Sequence, residues 1–291
     1  MLTTGLFLGL LACPPGQVIN ADLAQWKKEV RKVRGNTAIK AHLDILRLEA
    51  EGTGALGIAR ADIFEVKLTN GETPDRVVQV HYGFDGNDEM WEDGDALSVV
   101  VLRPMGPDRW CFAGRLGVTR SSAEVPCDGG PETDLPMLLH FVPLLQADRM
   151  AIRATLVGGA CAGTERGTTI TTQLHAVVGD SLKMVFETNT FDSAYVSPNP
   201  PTSSTVRRIR LTGAFPKQID LETKVVCEDG EQFDNEQGDG AKPCSASRTT
   251  ERLRFDGQRY VAAPAAKKAT KPAKKAIEPA KKAKAPPAEK R

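Results

Sequence analysis

Residues Ile63 to Tyr82 read IFEVKLTNGETPDRVVQVHY. Apolar and polar side chains alternate from Ile63 to Thr69, Asn70-Gly71 offers a turn, and Val77–Tyr82 returns as a second strand-like run. A period of two, broken by Asn-Gly and resumed, predicts a β-hairpin. The same signal recurs at Ala96–Leu102, Trp110–Leu116, Met150–Val157, Thr168–Val178, Leu182–Thr190, Thr205–Thr212 and Ile219–Cys227. It closes with Arg248–Phe255 and Arg259–Val261, joined by Asp256-Gly257. Strands follow one another with turn residues between them and no long helical pattern. The expectation is an antiparallel all-β body over residues 37–262, a β-sandwich or two small packed β units meeting near Pro126–Pro136.

One segment before this body has a helical period. Leu23, Trp26, Val30 and Val33 recur at spacings of three and four, which predicts a short helix over Ala21–Arg34 with Asn20 as its N-cap. Lys27, Lys28, Arg31, Lys32 and Arg34 occupy its other faces. So narrow an apolar stripe suits packing on the β body better than lying on a membrane.

Charge is segregated along the 291 residues. From Lys267 to Arg291 ten basic residues stand against Glu278 and Glu289, a net of +8; the remainder holds 28 basic and 35 acidic residues, a net of −7. The tail runs KKATKPA, KKAIEPA and KKAKAPPA from Lys267 to Ala288. A proline in every unit forbids a continuous helix, and Ala, Lys and Pro bury too little surface to fold, so residues 263–291 are expected to be disordered. This tail resembles the Lys/Ala/Pro tails of linker-histone type and of bacterial histone-like proteins. The resemblance implies diffuse polyanion contact through Lys267, Lys268, Lys271, Lys274, Lys275, Lys281, Lys282 and Lys284. No aromatic residue interleaves them to stack on bases.

The other end points outward from the cell. Leu2–Ala12 is apolar or small, and Leu10-Leu11-Ala12-Cys13 resembles a bacterial lipobox. That resemblance implies a signal peptide over residues 1–13, lipidation at Cys13, and a tether and helix over residues 14–36. No Lys or Arg precedes the apolar run, a departure from the usual signal.

Five further cysteines include no C-x-x-C pair, and no histidine lies at metal-ligand spacing from any of them. Cys227 and Cys244 bracket one polar loop, and Cys111 and Cys127 another, the spacing a loop-closing disulfide needs. Cys161 is left over. Acidic clusters containing Asp85, Asp88 and Glu89, and Asp229 and Asp234, have oxygens to offer calcium. Neither has the EF-hand register, since Met90 stands where the loop glycine belongs, and solvated loops with no metal are expected. Gly52-Thr53-Gly54-Ala55-Leu56-Gly57 matches a dinucleotide fingerprint by letters, but a strand-like run follows it where the fingerprint needs a helix. His42, His81, His140 and His175 stand apart, and Gly179-Asp180-Ser181 lacks the glycine of a nucleophile elbow.

These features predict a non-catalytic, cofactor-free exported protein, anchored in the periplasm or at the cell surface. Its tail would contact an anionic envelope polymer or membrane surface. The alternatives are a cytoplasmic or nucleoid protein whose tail holds nucleic acid, and a secreted hydrolase with a site the sequence does not announce.

Overall fold

The computed structural model describes residues 13–48, 55–84, 96–120, 138–162, 165–196, 203–227 and 245–263. In chain order these form β1 (Val18–Asn20), α1 (Leu23–Val30), α2 (Asn36–Ile45), β2 (Ala55–Val66), β3 (Asp75–Phe84), β4 (Ala96–Gly106) and β5 (Arg109–Arg120). There follow β6 (Leu138–Gln146), β7 (Arg149–Ala162), β8 (Glu165–Val178), β9 (Ser181–Val196) and β10 (Ser203–Thr212). The last three are β11 (Gln218–Cys227), β12 (Ser247–Phe255) and β13 (Tyr260–Ala262). A five-stranded sheet has the order β1-β5-β4-β3-β2, and an eight-stranded sheet runs β13 to β6 without a crossover. All strand pairs are antiparallel. The chain passes from the first sheet to the second between Arg120 and Leu138.

The first sheet is covered on both faces. Val78, Val80, Val100 and Leu102 pack with Leu23, Trp26 and Val30 of α1 and Ile39 and Leu43 of α2. Val77, Val99 and Val101, one residue out of phase, pack with Ile152 and Ala154 of β7. Successive side chains on a strand point to opposite faces, so the run Val99-Val100-Val101-Leu102 can be wholly buried only if both faces are roofed. At about 1.5–3 kcal/mol for each fully buried Val, Leu or Ile, this double burial makes the first sheet the centre of the molecule.

The second sheet curls. Leu144 of β6 shares a cluster with Leu253 of β12 and Tyr260 of β13. In a flat sheet β6 and β12 would lie about 29 Å apart at ~4.8 Å per strand. Lys217 N, in the β10–β11 turn, donates to Leu144 O at 2.8 Å, and Tyr260 Oη donates to Lys217 O at 2.7 Å.

Specific contacts join the sheets. Met150 N donates to Lys67 O at 2.8 Å, Arg103 Nη2 donates to Asp180 O at 3.2 Å, and the rings of Phe64 and Phe141 meet edge-on at 5.6 Å. Gly114, at φ +148°, lets β5 approach β9 so closely that a Cβ there would fall 2.8 Å from that of Leu182. The turn after β2 is closed by buried Asp75, whose carboxylate accepts from Leu68 N, Thr69 N and Thr69 Oγ1. Burial raises its pKa against the opposing pull of those donors.

The expected all-β architecture and the short amino-terminal helix are present, with differences of detail. The helix starts at Leu23, with Asp22 rather than Asn20 as its N-cap, because the Asp22 side chain accepts from Gln25 N at 2.9 Å. Its apolar stripe faces the first sheet: Leu23, Trp26 and Val30 are buried, and Trp26 Nε1 donates to His42 O at 2.9 Å. Helix α2 and strands β1 and β6 were not expected from the sequence. Residues 264–291, where the tail lies, fall outside the described residues.

Candidate functional site

The amino-terminal segment is a clamp, not a tether. Cys13 is disulfide-bonded to Cys111 of β5, with Cα atoms 5.5 Å apart. Gln17 N donates to Pro14 O at 3.0 Å, so Pro14-Pro15-Gly16 forms a turn that leads into β1. There Val18, Ile19 and Asn20 pair with Cys111, Trp110 and Arg109. Arg47 Nη1 donates to Gln17 Oε1 at 2.9 Å, and Trp110 Nε1 donates to Ala21 O at 2.9 Å. Two expectations fall here. A sulfur shared with Cys111 has no valence left for a lipid thioether, so Cys13 is not a lipidation site in this structure. Cys111 in turn is not bridged to Cys127, because its partner is Cys13.

Cys227, at the end of β11, is disulfide-bonded. Cys127 and Cys244 both lie outside the described residues, as do the calcium candidates Asp85, Asp88, Glu89, Asp229 and Asp234 and all the tail lysines. Among the described residues no three His, Cys, Asp or Glu side chains gather as metal ligands. Ala55–Val66, directly after Gly52–Gly54, is a strand, so no helix amino terminus meets a phosphate there.

The histidines do not converge on a nucleophile. His42 belongs to α2 and His140 is exposed on β6. His81 is buried on β3 with its Nε2 2.6 Å from the Gln79 amide nitrogen. His175 is buried on β8 and bonds through Nε2 to Gln173 Oε1 at 3.0 Å, and burial pushes its pKa down to about 4. A cavity of about 40 Å³ lies between Leu68, Leu145, Met150 and Val177. That volume suits a water or two, whereas a small-molecule site needs some hundreds of Å³.

The densest array of functional groups is on a surface. On β10, β11 and β12 the odd-numbered residues Ile209, Leu211, Ile219, Leu221, Leu253 and Phe255 face the interior. Across Val206–Thr212, Gln218–Lys224 and Arg248–Arg254 the even-numbered ones therefore face outward. Antiparallel register then sets them in rows: Val206, Lys224, Arg248; Arg208, Glu222, Thr250; Arg210, Asp220, Arg252; and Thr212, Gln218. Arg254 continues the outward series on β12. Arg252 Nε donates to Asp220 Oδ1 at 2.7 Å, and this bond chiefly holds the Asp220 carboxyl below the usual range. Glu222 is paired with Arg248 and Arg210. Arg208, Lys224 and Arg254 are exposed, and among the described residues none of the three has an ion-pair partner. Six cations against two carboxylates leave the face at +4, on a body whose overall balance is −7. The sequence displays the alternation RRIRLT and RTTERLR, but only the strand register shows that these cations share one face.

Comparison with protein-family models, with curated proteins and with solved structures finds no match.

Proposed function

We propose that this chain is an exported, non-catalytic β protein whose Lys/Ala/Pro arm contacts an anionic component of the cell envelope. The observation that carries this reading is the separation of +8 on the last 25 residues from −7 on all that precedes them. A segment of that composition buries too little surface to form a core, and its lysines can neutralise phosphate or carboxylate by charge alone. At about 3.1 Å per residue an extended arm of this length reaches ~80 Å from the body.

Export is supported by the cysteines. The Cys13–Cys111 disulfide and the bonded Cys227 are the usual chemistry of an oxidising compartment, whereas the cytosol keeps thiols reduced. With Cys13 committed to Cys111, attachment to the envelope rests on the arm rather than on a lipid.

The experiment is cell fractionation in the presence of an alkylating agent, followed by intact-mass analysis and non-reducing peptide mapping. The expected protein is found outside the cytoplasm, carries a linked Cys13–Cys111 peptide, and leaves the envelope fraction in high salt or when residues 264–291 are deleted. Recovery from soluble cytosol with both thiols alkylated would overturn the reading.

A further inference from the structure

The outward face of β10–β12 lies beside the root of the arm. Strand β13 pairs with β12 through Leu253–Ala262, Arg254–Val261 and Phe255–Tyr260. Ala263, the last described residue, donates its N–H to Arg252 O at 2.8 Å. The arm thus leaves the body one strand away from Arg252 and Arg254. We propose that this face is a second, folded contact surface, and that its partner is an anionic bilayer. The choice of an anionic partner rests on the reading of the arm; the surface itself rests on the register.

Three features of the face favour a bilayer. Its cations are spread over three neighbouring strands, about 10 Å across and ~20 Å along, at ~4.8 Å between strands and ~3.4 Å per residue. Over so short a span a planar array of phosphates can meet several rows at once, whereas a cylindrical duplex meets the outward side of this curled sheet over less of its width. The face offers neither a helix nor a projecting ribbon to enter a major groove, and its outward positions include no aromatic side chain to stack on bases. Five of its six cations are arginine, whose planar guanidinium takes a phosphate by two parallel hydrogen bonds. Asp220 and Glu222 stand on β11 between the arginines of β10 and β12 and pair with Arg210, Arg248 and Arg252, while Arg208, Lys224 and Arg254 have no ion-pair partner among the described residues.

The test is partition of full-length chains onto phosphatidylcholine vesicles with and without about 30% phosphatidylglycerol. Each cation near an anionic leaflet is worth about a fivefold change in partition. Arg208→Gln with Arg254→Gln should therefore bind the anionic vesicles about 25-fold more weakly. Arg208→Lys with Arg254→Lys, which keeps the charge, should stay within about threefold of the parent on the same scale. The 25-fold loss should recur in a chain whose eight arm lysines, Lys267 to Lys284, are glutamine. Unchanged partition of the glutamine pair overturns the proposal. So does an equal loss on a mixed-sequence DNA duplex, which would make the face a general polyanion surface. A comparable loss in the lysine pair overturns it when the Tm falls as well, by tracing the effect to altered folding; with the Tm unchanged, that loss supports the proposal, since lysine keeps the charge but not the two-pronged phosphate contact. If the arm-neutralised chain binds like the parent, the arm reading fails while the face stands or falls on its own pair.

Discussion

Removing the Cys13 sulfur tests whether the amino-terminal segment is a clamp. The bond joins residues separated by 98 positions. In the chain-entropy model a closed loop of that size restricts the unfolded chain by about 4.7 kcal/mol at 25 °C. Cys13→Ser leaves Cys111 in place; it is 1% exposed, and a reduced cysteine there still packs as a small apolar group. The native contacts of β1, α1 and α2 then change little, and most of the loss comes from the freed unfolded state. Strain and residual structure reduce such values, so we expect about 3–4.5 kcal/mol, roughly a third of the stability of an ordinary domain. With an m-value of about 2–3 kcal/mol/M, the urea midpoint should fall by ~1–2.5 M. Trp26 and Trp110, both buried beside the clamp, report the transition by fluorescence. The comparison is made without reductant, because Cys227 is also disulfide-bonded. A midpoint unchanged within about 0.2 M would refute the reasoning.

Two further outcomes follow from the packing between the sheets. Burial holds His175 neutral with a pKa near 4, below its ordinary 6.5, so between those values the unfolded chain binds the extra proton. Stability should therefore fall by about 3 kcal/mol as pH drops from roughly 6.5 to 4, and His175→Gln should flatten that part of the profile in urea titrations at stepped pH. A profile that keeps its slope in the variant would assign the effect to other groups. Gly114→Ala places a methyl 2.8 Å from Leu182 Cβ at a φ that L residues rarely adopt. A cost of roughly 2–4 kcal/mol, or about 5–15 °C in Tm, is expected. Combining it with Leu182→Gly, which removes the opposing Cβ, should recover part of the loss; strictly additive losses would show that the clash is not the cause.

How much of this was legible in the sequence depended on whether a signal was local. The hairpins at Asn70-Gly71 and Asp256-Gly257 lie within their own few residues, and strands stand on either side of both turns. The strand-like run Ala96–Leu102 is a strand, but that both of its faces are covered emerges only from the packing. Strand β6 was missed because Pro143 interrupts LLHFVPLLQ; the proline is tolerated because β6 is an edge strand. Helix α2 had a usable signal in Ile39, Leu43 and Leu46, spaced four and three apart, all of them fully buried. The disulfide was out of reach. Spacing arguments favour near cysteines, and nothing local couples Cys13 to Cys111 until β1 pairs with β5. The charged face was half legible: alternation gave its residues, but their rows depend on a register that only pairing fixes.

The salt dependence of binding tests the role of the arm most directly. Equilibrium affinity of the full chain for a mixed-sequence duplex, used as a defined polyanion, is measured from low to high salt alongside the chain with its eight arm lysines changed to glutamine. Each lysine–phosphate contact adds roughly −0.7 to −0.9 to the slope of log K against log salt, so five to eight contacts predict a slope of about −4 to −7. The neutralised chain should show a slope near zero, and duplexes of different sequence should compete equally with the parent. A neutralised chain that keeps the parent slope, or one duplex that competes about a hundredfold better than the rest, would contradict the account.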